Sequence, residues 1–132
     1  MDKEFECVLH VDHDLRLVRV VVTGGIDRAA GRKMITDARE ASFEHGYDIF
    51  YDMRSARVKI SITDLQAVAR DLDVLKHAMA SKTKVALVAT PEEKKQFYQF
   101  YEITAYNAGL NVKSFVDEAE ALAWLSEATQ ET

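Results

Sequence analysis

The strongest constraint on the fold is a run of five consecutive apolar residues, Val-Ala-Leu-Val-Ala, at positions 85–89. A short apolar run of this kind is typical of a central strand that is covered on both faces of its sheet. Covering both faces requires helices above and below the sheet, which predicts the α/β class. Thr90 and Pro91 follow at once and combine a helix cap with proline at the first helical position, so a helix is expected directly after this strand.

Short apolar strands and capped amphipathic helices alternate along the rest of the chain. The predicted strands are residues 5–11, 15–22, 49–51, 85–89 and 112–116. The four predicted helices follow the capping residues Asp27, Thr63, Thr90 and Asp117. Since strands that alternate with helices are joined by right-handed crossovers, the order β-β-α-β-α-β-α-β-α predicts a mixed, mostly parallel sheet. The first strand is expected to be antiparallel, as part of an N-terminal hairpin.

Length, charge and cysteine content narrow the class of protein. The 132 residues predict one domain over residues 1–132, with a frayed tail at 127–132. A net charge of −5 argues against nucleic-acid binding, because neutralising phosphates needs a basic face. The single cysteine, Cys7, cannot form an internal disulfide, and no apolar run approaches the length of about 20 residues that spans a bilayer. We therefore expect a cytoplasmic protein without membrane insertion and without a cofactor.

Histidine and aspartate residues gather at the turn of the predicted hairpin. They are His10, Asp12, His13 and Asp14. These residue types ligate metals, but strand alternation directs His10 away from the turn residues, and no further ligand cluster accompanies them. A solvated turn is the favoured interpretation, and no metal site is predicted.

Four segments, taken in their order along the chain, resemble one protein family. They are Thr23-Gly24-Gly25-Ile26 at the end of a valine-rich strand, Phe50-Tyr51-Asp52-Met53-Arg54, the strand 84–88 and the ending 112–125. Together they resemble the SpoIIAA-like group of the STAS superfamily over nearly the whole chain. The resemblance implies a STAS fold and a non-catalytic module, of the kind found in anti-sigma-factor antagonists, stressosome parts and transporter tails. A regulatory or binding role with a protein partner is therefore expected, and enzyme activity is not.

The resemblance also implies a candidate phosphosite. In the antagonists, a partner kinase phosphorylates a serine or threonine at the start of a helix, which normally follows an aspartate and precedes a glycine. Ser61-Ile62-Thr63-Asp64 occupies this region with neither neighbour. Thr63 is thus the candidate phosphosite, with Ser61 as an open alternative. The favoured role of Thr63 is structural, because Thr63 and Gln66 fit a capping box.

Sites in parallel sheets gather beyond the carboxyl ends of the strands. Thr23-Gly24-Gly25 at this edge is interpreted as a tight turn, since the chain carries neither a P-loop nor a full dinucleotide fingerprint. Asp52 and Arg54 straddle the end of a strand, where a local ion pair is favoured over a ligand contact.

A small-ligand pocket is predicted between this edge and the helix that starts near Thr63. Met53, Val58 and Ile62 make the stretch apolar, and the charge of Arg54 suits an acidic head group. The candidate ligand-binding residues are Asp52, Met53, Arg54, Val58 and Ile62.

The helix predicted over residues 91–108 carries five aromatic side chains. A helical wheel directs Phe97 and Tyr101 into the core, whereas Tyr98 and Tyr106 fall outside that face and Phe100 lies at its edge. Exposed tyrosine is amphipathic and often marks an interface. Tyr98, Phe100 and Tyr106 therefore predict a partner surface. Self-association as a homodimer is the specific expectation. The alternative, given equal weight, is that these are ordinary surface side chains.

Two alternatives to a binding module remain open. A receiver domain needs an acidic pair, a phosphoacceptor aspartate, a Ser/Thr and a lysine in that order. The residues in these positions are Asp12 with Asp14, Asp52, Thr90 and Lys113. The fit fails because a strand rather than a helix follows Asp14, and because Lys113 lies inside its strand. The other alternative is a small enzyme that uses Asp52 and Arg54 on an acidic substrate, since this fold class hosts many chemistries.

Overall fold

A computed structural model describes residues 4–61, 63–64, 67, 83–107 and 109–127 of the chain. Within these residues, five strands form one sheet in the order β1-β2-β3-β4-β5. They are β1 (Glu6–Asp12), β2 (Leu17–Ile26), β3 (Asp48–Val58), β4 (Lys84–Val88) and β5 (Asn111–Phe115). β1 pairs with β2 in antiparallel orientation and the remaining neighbours are parallel, which confirms the predicted mixed sheet with its N-terminal hairpin.

Three of the predicted helices are described in full or nearly so. They are α1 (Arg28–His45), α2 (residues 91–107) and α3 (Glu118–Ser126). Each begins at the capping residue expected from the sequence, because the side chains of Asp27, Thr90 and Asp117 accept hydrogen bonds from N–H groups of the first turn. The helix predicted after Thr63 and the frayed tail lie largely outside the described residues. None of the described helices is long and apolar enough to cross a membrane.

The cap near residue 63 differs from the prediction. Thr63 is already helical, and the hydroxyl oxygen of Ser61 accepts a hydrogen bond from the N–H of Asp64 at 3.0 Å. Ser61 therefore caps this turn, and the assignment of Thr63 as the N-cap is wrong. Gln66, the other half of the predicted capping box, lies outside the described residues.

β2 and β3 both run further than predicted. Thr23-Gly24-Gly25 lies inside β2, opposite residues 55–57 of β3, so the interpretation as a tight turn is wrong. Val21 pairs with Asp52 whereas Thr23 pairs with Ser55, so β3 carries one extra residue in a bulge. The bulge reverses the alternation of side chains, since Met53 and Ala56 are both buried although three positions separate them.

Side chains from the two faces of the sheet form two separate clusters. The α1–α2 face, defined by the two helices that cover it, holds the larger cluster and includes Val20, Ile49 and Leu87. The α3 face, covered by α3, holds the smaller cluster around Phe50 and Val88. Every residue of β4 is buried, which confirms the central, doubly covered strand expected from the apolar run.

Candidate functional site

An apolar cavity lies on the α1–α2 face. Its walls include Met34 and Ile35 from α1, Met53 and Val58 from β3, and Tyr98 from α2. The empty space is about 400 Å³, including the mouth, while the centre of a water-sized sphere reaches about 40 Å³ of it. The cavity is therefore narrow, and its surface is almost wholly apolar.

The structure separates the five predicted ligand-binding residues. Met53 and Val58 come together in the cavity wall. Asp52 and Arg54 lie on the opposite face of the sheet, because successive residues of a strand point to opposite faces, and there Arg54 bonds both Asp52 and Glu118 at the start of α3. Ile62 lies outside the described residues. Arg54, which was predicted to bind an acidic head group, thus lies on the other side of the sheet from the apolar pocket.

The Asp52 carboxylate is held by Arg54. The Nε and Nη2 groups of Arg54 donate to its two oxygens, each at 2.9 Å, and Nη2 also donates to Oε1 of Glu118 at 2.9 Å. Arg19 lies 3.8 Å from the second oxygen of Glu118. The hydrogen bonds from Arg54 lower the pKa of Asp52, although burial acts in the opposite direction. Such a carboxylate is a weak base, and the favoured local ion pair is what the structure contains.

The residues of a receiver site do not come together. Asp12 pairs with Leu17, which pairs with Asp48 at the start of β3. Four residues of strand separate Asp48 from Asp52, about 13 Å at the usual rise. Nζ of Lys113 lies 5.4 Å from the ring centre of Phe115. This arrangement lacks the acidic cluster around Asp52 that the receiver reading needs.

Three buried polar atoms have no hydrogen-bond partner among the described residues. They are Nη1 of Arg39, the hydroxyl of Tyr98 and the hydroxyl of Ser114. All three belong to the α1–α2 face, since Arg39 lies on α1, Tyr98 on α2, and Ser114 has the same orientation as Val112 of β5. Arg39 and Tyr98 are only 3% and 2% exposed. Buried polar atoms are usually paired, so this concentration on one face needs an explanation.

Arg39 lies close to the cavity. It follows the lining residue Ile35 by four positions, so the two side chains are neighbours on one helix face. Burial raises the pKa of Tyr51 and of Tyr101, which both line the cavity, and the positive charge of Arg39 acts in the opposite direction on both. The guanidinium is therefore within electrostatic range of two walls of the cavity.

The outer face of α2 carries an apolar ridge of Phe100, Ile103 and Tyr106. These side chains are 49%, 61% and 80% exposed. Tyr98 is buried, so the prediction that it is exposed is wrong. The reason is a π-helical turn, Lys94–Tyr98, in which the N–H of Gln99 bonds to the carbonyl of Lys94 five residues earlier. This wider turn rotates Tyr98 inward relative to a regular helical wheel.

Known proteins of similar sequence and structure support the fold described above. The SpoIIAA-like family model matches residues 17–126, from the start of β2 to the end of α3. The chain belongs to the SpoIIAA-like family. Its structure is similar to that of an anti-sigma factor antagonist from Mycobacterium paratuberculosis, with a TM-score of 0.56 and 16% sequence identity over 94% of this chain and 96% of that one. This similarity shows the fold, and the family match confirms the resemblance found in the sequence. No curated protein matches the chain significantly.

The phosphosite region of this SpoIIAA-like chain is only partly described. Thr63 is exposed in the first helical turn, and the carboxylate of Asp64 lies 3.9 Å from the guanidinium of Arg28. Ser61 uses its hydroxyl oxygen as the cap acceptor. Thr63 therefore has the freer hydroxyl of the two candidates.

Sequence reasoning missed Arg39 and Ile103. A signal for Arg39 existed, because it directly follows Ala38 of the apolar stripe on α1. Ile103 has the same three-residue spacing from Phe100 and from Tyr106, so a search for an outer apolar row on α2 would have found it.

Proposed function

We propose that this SpoIIAA-like chain is a single-domain, non-catalytic regulatory module that acts in the cytoplasm by binding a protein partner. The observation that carries the proposal is the ridge of Phe100, Ile103 and Tyr106. Three large apolar side chains on successive turns of one helix form the kind of row that docks into a groove of another protein. The structural neighbour is itself named as an antagonist of another protein, which supports a role in binding.

The energetics of the ridge favour a partner that brings contacts of its own. Covering three side chains that are half exposed or more contributes about 3–6 kcal/mol gross, at roughly 1–2 kcal/mol each. Association costs about 4–15 kcal/mol in lost freedom, so the ridge alone binds weakly. A partner groove with an apolar floor and polar edges supplies the remainder. A second copy of this chain would bury the ridge twice, which makes the homodimer the second candidate.

A photocrosslinking amino acid placed at position 106 tests the proposal in the cells that make the protein. We expect one defined protein adduct from position 106 and none in common with position 40, an exposed control on α1. An adduct of twice the chain mass identifies self-association instead. The purified partner should then bind the Ile103→Glu variant at least tenfold more weakly than the parent chain. Equal binding, or identical adducts from positions 106 and 40, would falsify the assignment of this surface.

The two catalytic alternatives have less support. A phosphoacceptor or a general base needs a basic, nucleophilic carboxylate, and the two-pronged pair with Arg54 lowers the pKa of Asp52 and so weakens it in both roles. Incubation with acetyl phosphate and Mg²⁺ should therefore leave Asp52 unlabelled. A phosphoryl group on Asp52 that is absent from Asp52→Asn would contradict the binding-module proposal and favour a receiver.

We also propose Thr63 as the phosphosite of this module. A phosphate in the first turn faces the positive end of the helix dipole, which tolerates the added charge. Phosphopeptide mass spectrometry of protein from its own cells should find phosphate on Thr63 and not on Ser61, because the Ser61 oxygen is engaged with the N–H of Asp64. Phosphate on Ser61, or on neither residue, would contradict this assignment.

A further inference from the structure

The cavity on the α1–α2 face combines an apolar interior with unpaired donors. The hydroxyl of Tyr98, a lining residue, is buried without a partner among the described residues. Nη1 of Arg39, one helical turn from the lining residue Ile35, is also buried without a hydrogen-bond partner among the described residues. Leaving a donor of a buried guanidinium without an acceptor is unfavourable, and Nη1 has none among the described residues, so its place beside an apolar cavity points to a bound molecule as the acceptor.

The chemistry of these two groups selects the class of molecule. Arginine is a donor with no acceptor, and a tyrosine hydroxyl is also able to donate. A carboxylate brings acceptors and no donors, and its planar geometry matches a guanidinium. The aliphatic and methionine side chains of the wall, including Met34, Met53 and Val58, suit a hydrocarbon chain.

The dimensions of the cavity limit the size and shape of the chain. At about 30 Å³ for each non-hydrogen atom, the volume that a water molecule takes in the liquid, ten such atoms need about 300 Å³. The empty space of about 400 Å³ includes the open mouth, so a molecule of that size fills the mouth as well as the narrow interior. Because the centre of a water-sized sphere reaches only about 40 Å³, an unbranched chain fits better than a ring system.

We propose that the cavity binds a short, unbranched aliphatic carboxylic acid, whose chain lies among Met34, Met53 and Val58 and whose carboxylate is held by Arg39. The sequence pointed to Arg54 for the acidic head group. The structure makes Arg39 the better partner, because Arg54 already holds Asp52 and Glu118 on the opposite face of the sheet. This inference does not depend on the protein-binding ridge of α2.

Octanoate is a suitable probe, and two methionine methyl groups report on it directly. Met34 and Met53 line the cavity, so protein labelled with ¹³C at the methionine methyls should show saturable shifts of both signals on titration with sodium octanoate. The neutral analogue 1-octanol should bind more weakly, because it leaves the Arg39 charge unpaired. Absence of shifts at both methyls up to the solubility limit of octanoate would overturn the proposal, as would equal affinity for octanoate and octanol.

Arg39→Met and Arg54→Met form a matched pair for this titration. We expect Arg39→Met to weaken octanoate binding by about ten- to a hundredfold, the usual loss for a hydrogen bond to a charged group, and to leave octanol binding unchanged. Arg54→Met should bind octanoate as the parent chain does. Equal effects of the two substitutions would overturn the assignment of Arg39. If Arg39→Met fails to fold, Arg39→Lys serves, since it keeps the charge but loses the planar geometry and should weaken octanoate selectively.

Discussion

The two faces of the sheet differ in whether their polar side chains are paired. On the α3 face, Arg19, Asp52, Arg54 and Glu118 form one connected set of ion pairs. On the α1–α2 face, Arg39, Tyr98 and Ser114 carry buried polar atoms without a hydrogen-bond partner among the described residues.

The buried side chain of Lys84, on the α3 side of the sheet, is also hydrogen-bonded. Its Nζ group donates to the carbonyl oxygens of Trp124 and Glu127, at 3.2 and 2.8 Å. Because an unpaired buried polar group destabilises a protein, a face that leaves several unpaired is less stable than its packing would allow. The α3 face therefore pairs its charged groups, whereas the α1–α2 face keeps the unpaired atoms from which we infer a ligand site.

The largest expected effect is at Arg39. In ligand-free protein, Arg39→Met should raise the free energy of unfolding by about 1–4 kcal/mol, because a flexible apolar side chain replaces a buried guanidinium whose Nη1 has no hydrogen-bond partner among the described residues. Urea denaturation at neutral pH measures it. The control is Arg54→Met on the α3 face, which should lower the stability, since it leaves Asp52 and Glu118 without their shared partner. Destabilisation by Arg39→Met would show that its charge is satisfied and would remove the contrast between the faces.

A smaller effect, with a definite pH dependence, is expected at Asp52. Asp52→Asn should cost about 1 kcal/mol at neutral pH, a moderate value because the pair with Arg54 is partly exposed. The folded pKa of Asp52 is lower than the unfolded one. Its stabilisation is therefore complete above a pH of about 4, the pKa of free aspartate, and is lost as the pH falls through the lower folded value.

Urea denaturation of Asp52→Asn and the parent chain across acidic pH tests this directly. The gap in stability between them should be constant above a pH of about 4 and should close below it. Asp14→Asn, in the exposed hairpin turn, should show no gap at any pH. A gap for Asp52→Asn that persists unchanged in acid would mean that the carboxylate charge does not stabilise the α3 face.

Local patterns predicted most of the fold because local chemistry determines those features. The apolar run at 85–89 is buried along its whole length, and Asp27, Thr90 and Asp117 each accept hydrogen bonds from the first turn of a helix. Strand β3 was predicted too short because its continuation depends on a partner. The bulge opposite β2 reverses the alternation after Met53, and only the pairing of the two strands reveals the extra residue.

The candidate site was harder to predict for related reasons. A regular helical wheel leaves Tyr98 outside, and the π-helical turn that brings it in follows from the hydrogen bonding of the folded helix. Arg39 directly follows the apolar stripe of α1, but its burial depends on tertiary contacts, so no prediction was made for it. The sequence did place Met53 and Val58 in one apolar pocket, since their residue types suit a cavity wall wherever the strand leads.

Tyr98 and Tyr106 allow a matched comparison on one helix. Tyr98→Phe should raise the free energy of unfolding by about 1 kcal/mol, because it removes a buried hydroxyl that has no partner among the described residues. Tyr106, at 80% exposure, keeps its hydroxyl in water, so Tyr106→Phe should change stability by less than about 0.5 kcal/mol. Loss of stability in Tyr98→Phe would reveal a hydrogen bond at that hydroxyl and would weaken the contrast between the faces.

The smallest expected effect is at Ser114, which is compared with Ser42, a second fully buried serine. Ser114, on the α1–α2 face, is 1% exposed, and its hydroxyl has no partner within the described part of the chain. Removing that hydroxyl in Ser114→Ala relieves the cost of burying it but leaves a small void in the packed core, and because these two effects offset each other, the stability should change by less than about 0.5 kcal/mol. Ser42 is equally buried, but its hydroxyl donates to the carbonyl oxygen of Tyr47. Ser42→Ala leaves that acceptor unpaired and should cost about 1–2 kcal/mol. Thermal or urea denaturation of the two variants measures the difference directly. If Ser114→Ala proves as costly as Ser42→Ala, its hydroxyl is bonded in solution, and the unpaired groups of the α1–α2 face reduce to Arg39 and Tyr98, the two next to the cavity.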